Sequence, residues 1–115
     1  MRVNDCNFIG RLANDPEIYE SKTGVNVCKF RLAVSGYRRE SDPLFVDIKT
    51  YRSTADFAGK YLDKGDPVYI SGELSIHRYQ DDDGDYKWYS SINARNVVSL
   101  TSSRNKAMQS NPLDA

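Results

Sequence analysis

Apolar and polar residues alternate along most of this chain, and a period of two is the signature of half-buried strands. The clearest stretch runs from Val25 to Gly36, where Cys28, Phe30, Leu32 and Val34 share one face and Lys29 and Arg31 the other. An apolar inner side and a basic outer side follow. Val3 to Leu12 alternates similarly, with Asn4, Cys6 and Phe8 set against Val3, Asp5, Asn7 and Ile9. Asn14-Asp15-Pro16 then breaks the pattern, and Lys22-Thr23-Gly24 closes a predicted loop. After a polar connection from Tyr37 to Pro43, Phe45 to Tyr51 reads as a third strand. Val46 and Ile48 face one way there, and Phe45, Asp47, Lys49 and Tyr51 the other.

At Ser53 the period changes. Ser53-Thr54 offers a helix N-cap, Asp56 falls in the first turn, and Ala55, Ala58 and Leu62 keep helical spacing until Lys64-Gly65. Alternation returns from Val68 to Tyr79, with Val68, Ile70, Leu74 and Ile76 predicted inward and Tyr69, Glu73, His77 and Tyr79 outward. Asp81 to Asp85 reads as a hairpin loop around Asp83-Gly84, and Trp88 to Leu100 as the last strand. Five strands with a short helix between the third and fourth match the plan of an OB-fold, a partly open Greek-key barrel. A small sandwich with an incidental helix is the alternative.

The length of 115 residues suits one domain. Residues 1–100 are predicted to form it, with 101–115 as a short disordered tail. No apolar run is long enough to span a membrane. Met1-Arg2-Val3-Asn4-Asp5 lacks the apolar core of a signal peptide, so the cytoplasm is the expected compartment, that of a bacterium or of a phage-infected host. Cys6 and Cys28 have no metal-ligand spacing and read as small hydrophobes in a reducing compartment. Sixteen basic and sixteen acidic residues cancel. Four of the acids crowd into the Asp81–Asp85 loop, and the rest of the chain is net positive. That distribution permits nucleic-acid binding without arguing for it.

Catalysis finds little support in these residues. The one histidine, His77, lies on an outward strand face beside Arg78 and Tyr79, with no nucleophile arranged around it. Gly59, Gly65 and Gly72 lack the spacing of a phosphate loop. The aspartate cluster places its glycine wrongly for an EF-hand and reads as a hairpin turn, so neither metal nor cofactor is expected.

Aromatic residues carry more information. Single-strand binders stack bases on exposed rings while cations track the phosphates, so an aromatic and a cation must share an outward face. Phe45, Lys49 and Tyr51 meet that requirement on the third strand, with Lys29 and Arg31 beside them on the second. Arg78 and Tyr79 offer another pairing, and Tyr37-Arg38-Arg39 a third in a loop able to close over the strand. Tyr69, beside Glu73, reads better as a subunit contact. Trp88 alternates with Ile92 and Ala94 and is read either as partly core or as a base stacker. Tyr19 and Tyr86 read as loop residues, and Lys64 and Lys87 as solvated charges or phosphate contacts.

Several segments together resemble the bacterial and phage single-stranded-DNA-binding proteins. Asn7-Phe8-Ile9-Gly10-Arg11-Leu12 followed by Asp15-Pro16-Glu17 is similar to their first strand and loop, and Lys29-Phe30-Arg31-Leu32-Ala33-Val34 to their second strand. Tyr61-Leu62-Asp63-Lys64-Gly65 and Val68-Tyr69-Ile70-Ser71-Gly72-Glu73-Leu74 are similar to their helix end and fourth strand. The resemblance spans residues 3 to 100. It implies an OB-fold, a homotetramer (a dimer being the alternative), and sequence-tolerant binding of single-stranded DNA in replication, recombination or repair. By the same resemblance the base-stacking rings are Phe45, Tyr51 and Tyr79, with a further one near Tyr37. Family members commonly end in an acidic, phenylalanine-tipped peptide that recruits partner proteins. This chain ends Ser110-Asn111-Pro112-Leu113-Asp114-Ala115, so recruitment through the tail is not expected. The competing function is an OB-fold interaction or primosome-accessory subunit that touches DNA weakly.

Overall fold

The computed structural model describes residues 3–36 and 42–101. Six strands and one helix follow in the order β1 (Cys6–Leu12), β2 (Glu17–Glu20), β3 (Asn26–Val34), β4 (Leu44–Tyr51), α1 (Arg52–Tyr61), β5 (Pro67–Gln80) and β6 (Tyr86–Ser99). The all-β class and the single short helix agree with the alternation. The sheet runs β1-β5-β6-β4-β3-β2, and a further β1–β3 pairing at Arg11↔Ala33 and Leu12↔Leu32 returns the order upon itself. Among the described residues only β4 and β6 pair in parallel; the other ladders are antiparallel.

The core collects the inward positions of this ring. Phe30, Leu32, Ile48, Val68, Ile70 and Ile92 are 3% exposed or less. The helix lays Ala55 and Ala58 against them, small residues that let it approach closely, and Leu62 follows just beyond its end. Thr50 is buried too, and its Oγ1 donates to the Cys28 carbonyl at 3.3 Å, which satisfies the hydroxyl. Both cysteines are free thiols. Burial pushes the Cys28 thiol up from 9.0 to about 11, so it remains a neutral apolar residue at physiological pH.

Four features depart from the sequence reading. Glu17–Glu20 is a strand rather than part of a loop, pairing with β3 from Glu17↔Lys29 to Glu20↔Asn26. All four of its residues are exposed, so no apolar alternation announces it. The helix begins at Arg52, and Tyr51 is its N-cap without a side-chain cap, in place of Ser53-Thr54. Arg52 sits at φ 60°, a left-handed conformation that turns the chain from β4 into α1 within one residue. Asp56, expected to serve the helix start, instead accepts a hydrogen bond from Asn26 Nδ2 at 2.9 Å.

The fourth departure concerns the long hairpin. Leu74 and Ile76 were predicted inward but are 41% and 56% exposed. Their phase is right, since Leu74 pairs with the buried Ile92. The hairpin continues past the core, and the inward-phase side chains of its outer half are largely exposed, as Ile76 and Trp88 are. Within it the register steps from Ser71↔Asn96 to Gly72↔Ala94, leaving Arg95 without a cross-strand partner. This bulge shifts the phase of β6. The extra residue is put to use: its guanidinium reaches Asp5 at 3.0 Å and Glu73 at 3.3 Å, tying the start of the chain to β5.

Candidate nucleic-acid interface

Residues directly opposite each other in an antiparallel ladder point to the same side of the sheet. The β3–β4 register therefore sets Phe45 beside Ala33, Asp47 beside Arg31, Lys49 beside Lys29 and Tyr51 beside Val27, all on the outer wall. Strand β2 widens that wall by adding Glu17 next to Lys29 and Tyr19 next to Val27. Phe45 is 54% exposed and Tyr51 42%. Tyr19 and Tyr51 flank Val27 in the ladder, which explains why an outward valine is only 3% exposed.

The β5–β6 hairpin completes the wall. Its register pairs His77 with Tyr89 and Tyr79 with Lys87, so these four share one face. Contacts show that this face adjoins β4: the Lys49 ammonium lies 5.2 Å from the Tyr89 ring centroid, and Tyr89 borders the same depression as Asp47. Burial first, then the neighbouring Asp47, raises the Tyr89 hydroxyl above its ordinary pKa, so Tyr89 remains a neutral donor. Tyr79 is 51% exposed at the outer end of the hairpin.

The structure thus brings Phe45, Tyr51 and Tyr79 together with Lys29, Arg31 and Lys49 on one wall. It separates three other candidates from them. Arg78 stands opposite Trp88 on the reverse face of the hairpin, where its guanidinium stacks 4.4 Å from the Tyr86 ring centroid. Trp88 keeps the inward phase of Ile92 but lies beyond the core and is 68% exposed. Lys64 belongs to the helix–β5 connection, where its backbone N–H donates to Asp15 Oδ1 at 2.9 Å. Tyr37, Arg38 and Arg39 lie outside the described residues. Tyr89 was not singled out in the sequence, although the alternation that puts Trp88 in phase with Ile92 and Ala94 puts Tyr89 on the outward side.

The electrostatics of the wall are mixed. Lys29 and Lys49 face each other across neighbouring strands, a like-charge pair that is destabilising unless an anion intervenes. Glu17 flanks Lys29, and Arg31 Nε holds Asp47 Oδ1 at 3.1 Å. Among the described residues no group of three or more His, Cys, Asp or Glu side chains could hold a metal ion. Among the same residues no helix is long and apolar enough to cross a membrane.

A ring of strands with a helix between β4 and β5, carrying exposed aromatics and amines on one outer wall, defines the oligonucleotide-binding class of β-proteins. More specifically, a model of the single-strand binding protein family matches residues 3–100, and the chain belongs to that family. This family is characterised by DNA binding rather than by a reaction. A single-stranded DNA-binding protein of Neisseria meningitidis is 38% identical over 91 residues, covering 73% of this chain and 52% of the relative. One from Synechocystis is 35% identical over 83 residues, covering 70% of this chain and 69% of the relative. A third, from Staphylococcus aureus, is 31% identical over 104 residues, covering 85% and 65%. The match thus spans about half the length of the Neisseria relative. These names do not favour the interaction-subunit alternative.

Proposed function

We propose that this chain binds and protects single-stranded DNA with little dependence on sequence, acting without catalysis in replication, recombination or repair. The observation that supports it best is the placing of Phe45, Tyr51 and Tyr79, each 42–54% exposed, on the wall that carries Lys29 and Lys49. Exposed rings supply faces on which any base stacks, and the opposed lysines supply a site that an anionic backbone relieves. The bacterial DNA-binding relatives support a cytoplasmic setting.

Assembly as a homotetramer is part of the same reading. On the far wall Ile9, Tyr69 and Val98 stand in one cross-strand row, Ile9 being 64% exposed. Tyr69 also donates its hydroxyl to Asn7 at 2.7 Å, so the row is ordered and presents an apolar surface suited to another copy. Sedimentation that finds only monomer at micromolar concentration excludes this part of the reading.

Titration with an oligothymidine, followed by intrinsic fluorescence over a salt series, tests the function. Submicromolar binding at low salt is expected, falling steeply as salt rises, with duplex bound far more weakly. No binding at low salt refutes the reading.

A further inference from the structure

We propose that the depression bounded by Arg31, Asp47 and Tyr89 is a guanine-reading pocket, which adds a local base preference to otherwise tolerant binding. The inference rests on the single-strand-binding reading above and deepens it.

Its starting point is a misfit. A carboxylate in the middle of a surface that meets a polyanion repels phosphates, yet Asp47 stands there with its side chain 28% exposed. At that spot the wall favours an edge that donates hydrogen bonds over a backbone that brings negative charge. A carboxylate offers roughly four acceptor positions. Arg31 Nε takes one at 3.1 Å, which holds the carboxylate in place beside Tyr89. The other acceptor positions, more than the two a bidentate partner needs, are left for a ligand.

Of the DNA bases, only guanine carries two adjacent donors on one edge, the ring N1–H and the exocyclic amino group. That pair matches a carboxylate as a bidentate partner. Thymine sets its single N–H between two carbonyl oxygens, which Asp47 repels. Adenine and cytosine place a ring acceptor beside their amino group. Guanine also carries O6 next to N1, and the cations bordering the pocket, Lys29 and the remaining nitrogens of Arg31, are suited to it.

The surroundings fit a base. The cavity measures about 330 Å³, at the small end of the ~300–1,000 Å³ range usual for ligand pockets. Asn14 and Glu17 form its other rim, and Asn14 Oδ1 is already committed to the Arg31 backbone N–H at 3.0 Å. Asp47 and Arg31 stand on paired strands of the ladder and Tyr89 on the adjoining hairpin, so the donors and acceptors are ordered before a ligand arrives.

The test uses the full chain and oligothymidines in which one central residue is guanosine, inosine, adenosine or cytidine; a lone guanine forms no quadruplex. Inosine keeps N1–H and O6 but lacks the amino group. For the unmodified protein the guanosine oligomer is expected to bind about fivefold or more tighter than the other three, the low end for a bidentate base contact. Asp47→Ala is expected to bring these ratios to near one while binding of plain oligothymidine holds or strengthens, since Arg31 is then released. Equal affinity for guanosine and inosine overturns the inference, as does a preference that survives Asp47→Ala. With plain oligothymidine still bound, either result leaves the single-strand reading standing. Failure to bind any oligomer removes both. A circular-dichroism melt of Asp47→Ala shows whether the variant is folded, and Asp47→Ser serves if it is not.

Discussion

Replacing Phe45, Tyr51 and Tyr79 together by alanine is expected to weaken oligothymidine binding at least 100-fold while the barrel stays folded. Each base stacked on an aromatic ring is worth roughly 1–3 kcal/mol, so three rings supply about 3 kcal/mol at the least. All three are substantially exposed, so their removal opens no core cavity. The salt dependence should change little, because the lysines remain. Lys29→Ala with Lys49→Ala is expected to do the reverse, lowering the slope of log affinity against log salt by about 1.4 if each lysine meets one phosphate. A fluorescence titration and a thermal melt of each variant separate the two effects. If the triple variant binds as well as the parent, bases do not stack on this wall.

Gly72→Val is expected to prevent the barrel from forming, or to cost it about 3 kcal/mol or more, at the upper end of overpacking effects. A Cβ at residue 72 would collide with the carbonyl oxygen of Asn93 and lie 2.7 Å from the Ala94 Cα. Both are backbone atoms of β6, held in the β5–β6 ladder beside the Arg95 bulge, and cannot swing aside as a side chain would. Gly59→Ala is the control. The added methyl meets only the Ile18 side chain, at 3.1 Å, and an alanine in a helix gains up to about 1 kcal/mol over glycine. Urea unfolding of the two variants distinguishes them, and equal stabilities contradict this view of how β5 and β6 close.

Why Phe45, Lys49 and Tyr51 were legible in the sequence, and Tyr89 and Trp88 were not, follows from what alternation encodes. Period two assigns a side to each residue of a strand. Where the inner side is unmistakable, as with Cys28, Phe30 and Leu32 on β3, the outer side follows and so does the aromatic wall. It does not say how far a strand outruns the core. Leu74 and Ile76 carry the right phase and remain exposed because the hairpin overhangs. The bulge at Arg95 also resets the phase of β6: Val97 pairs with buried Ile70, yet the next inward residue is Ala94, three positions back rather than two. Beyond the bulge, Ala94 and Ile92 carry the inward phase on to Trp88, and that alternation puts Tyr89 on the binding wall and Trp88 on the opposite one. Strand β2 left no trace, since four exposed residues have no buried side to alternate with. The pairing of Arg31 with Asp47 depended on strand register, which single residues do not announce.

Nuclear magnetic resonance mapping of the bound oligothymidine tests the placement of the DNA most directly. The largest shifts on adding the oligomer are expected at Lys29, Phe45, Lys49, Tyr51, Tyr79 and Tyr89, with the Trp88 indole and Arg78 little changed. Shifts concentrated on Arg78, Tyr86 and Trp88, with the β3–β4 wall silent, would contradict it and move the DNA to the reverse face of the hairpin.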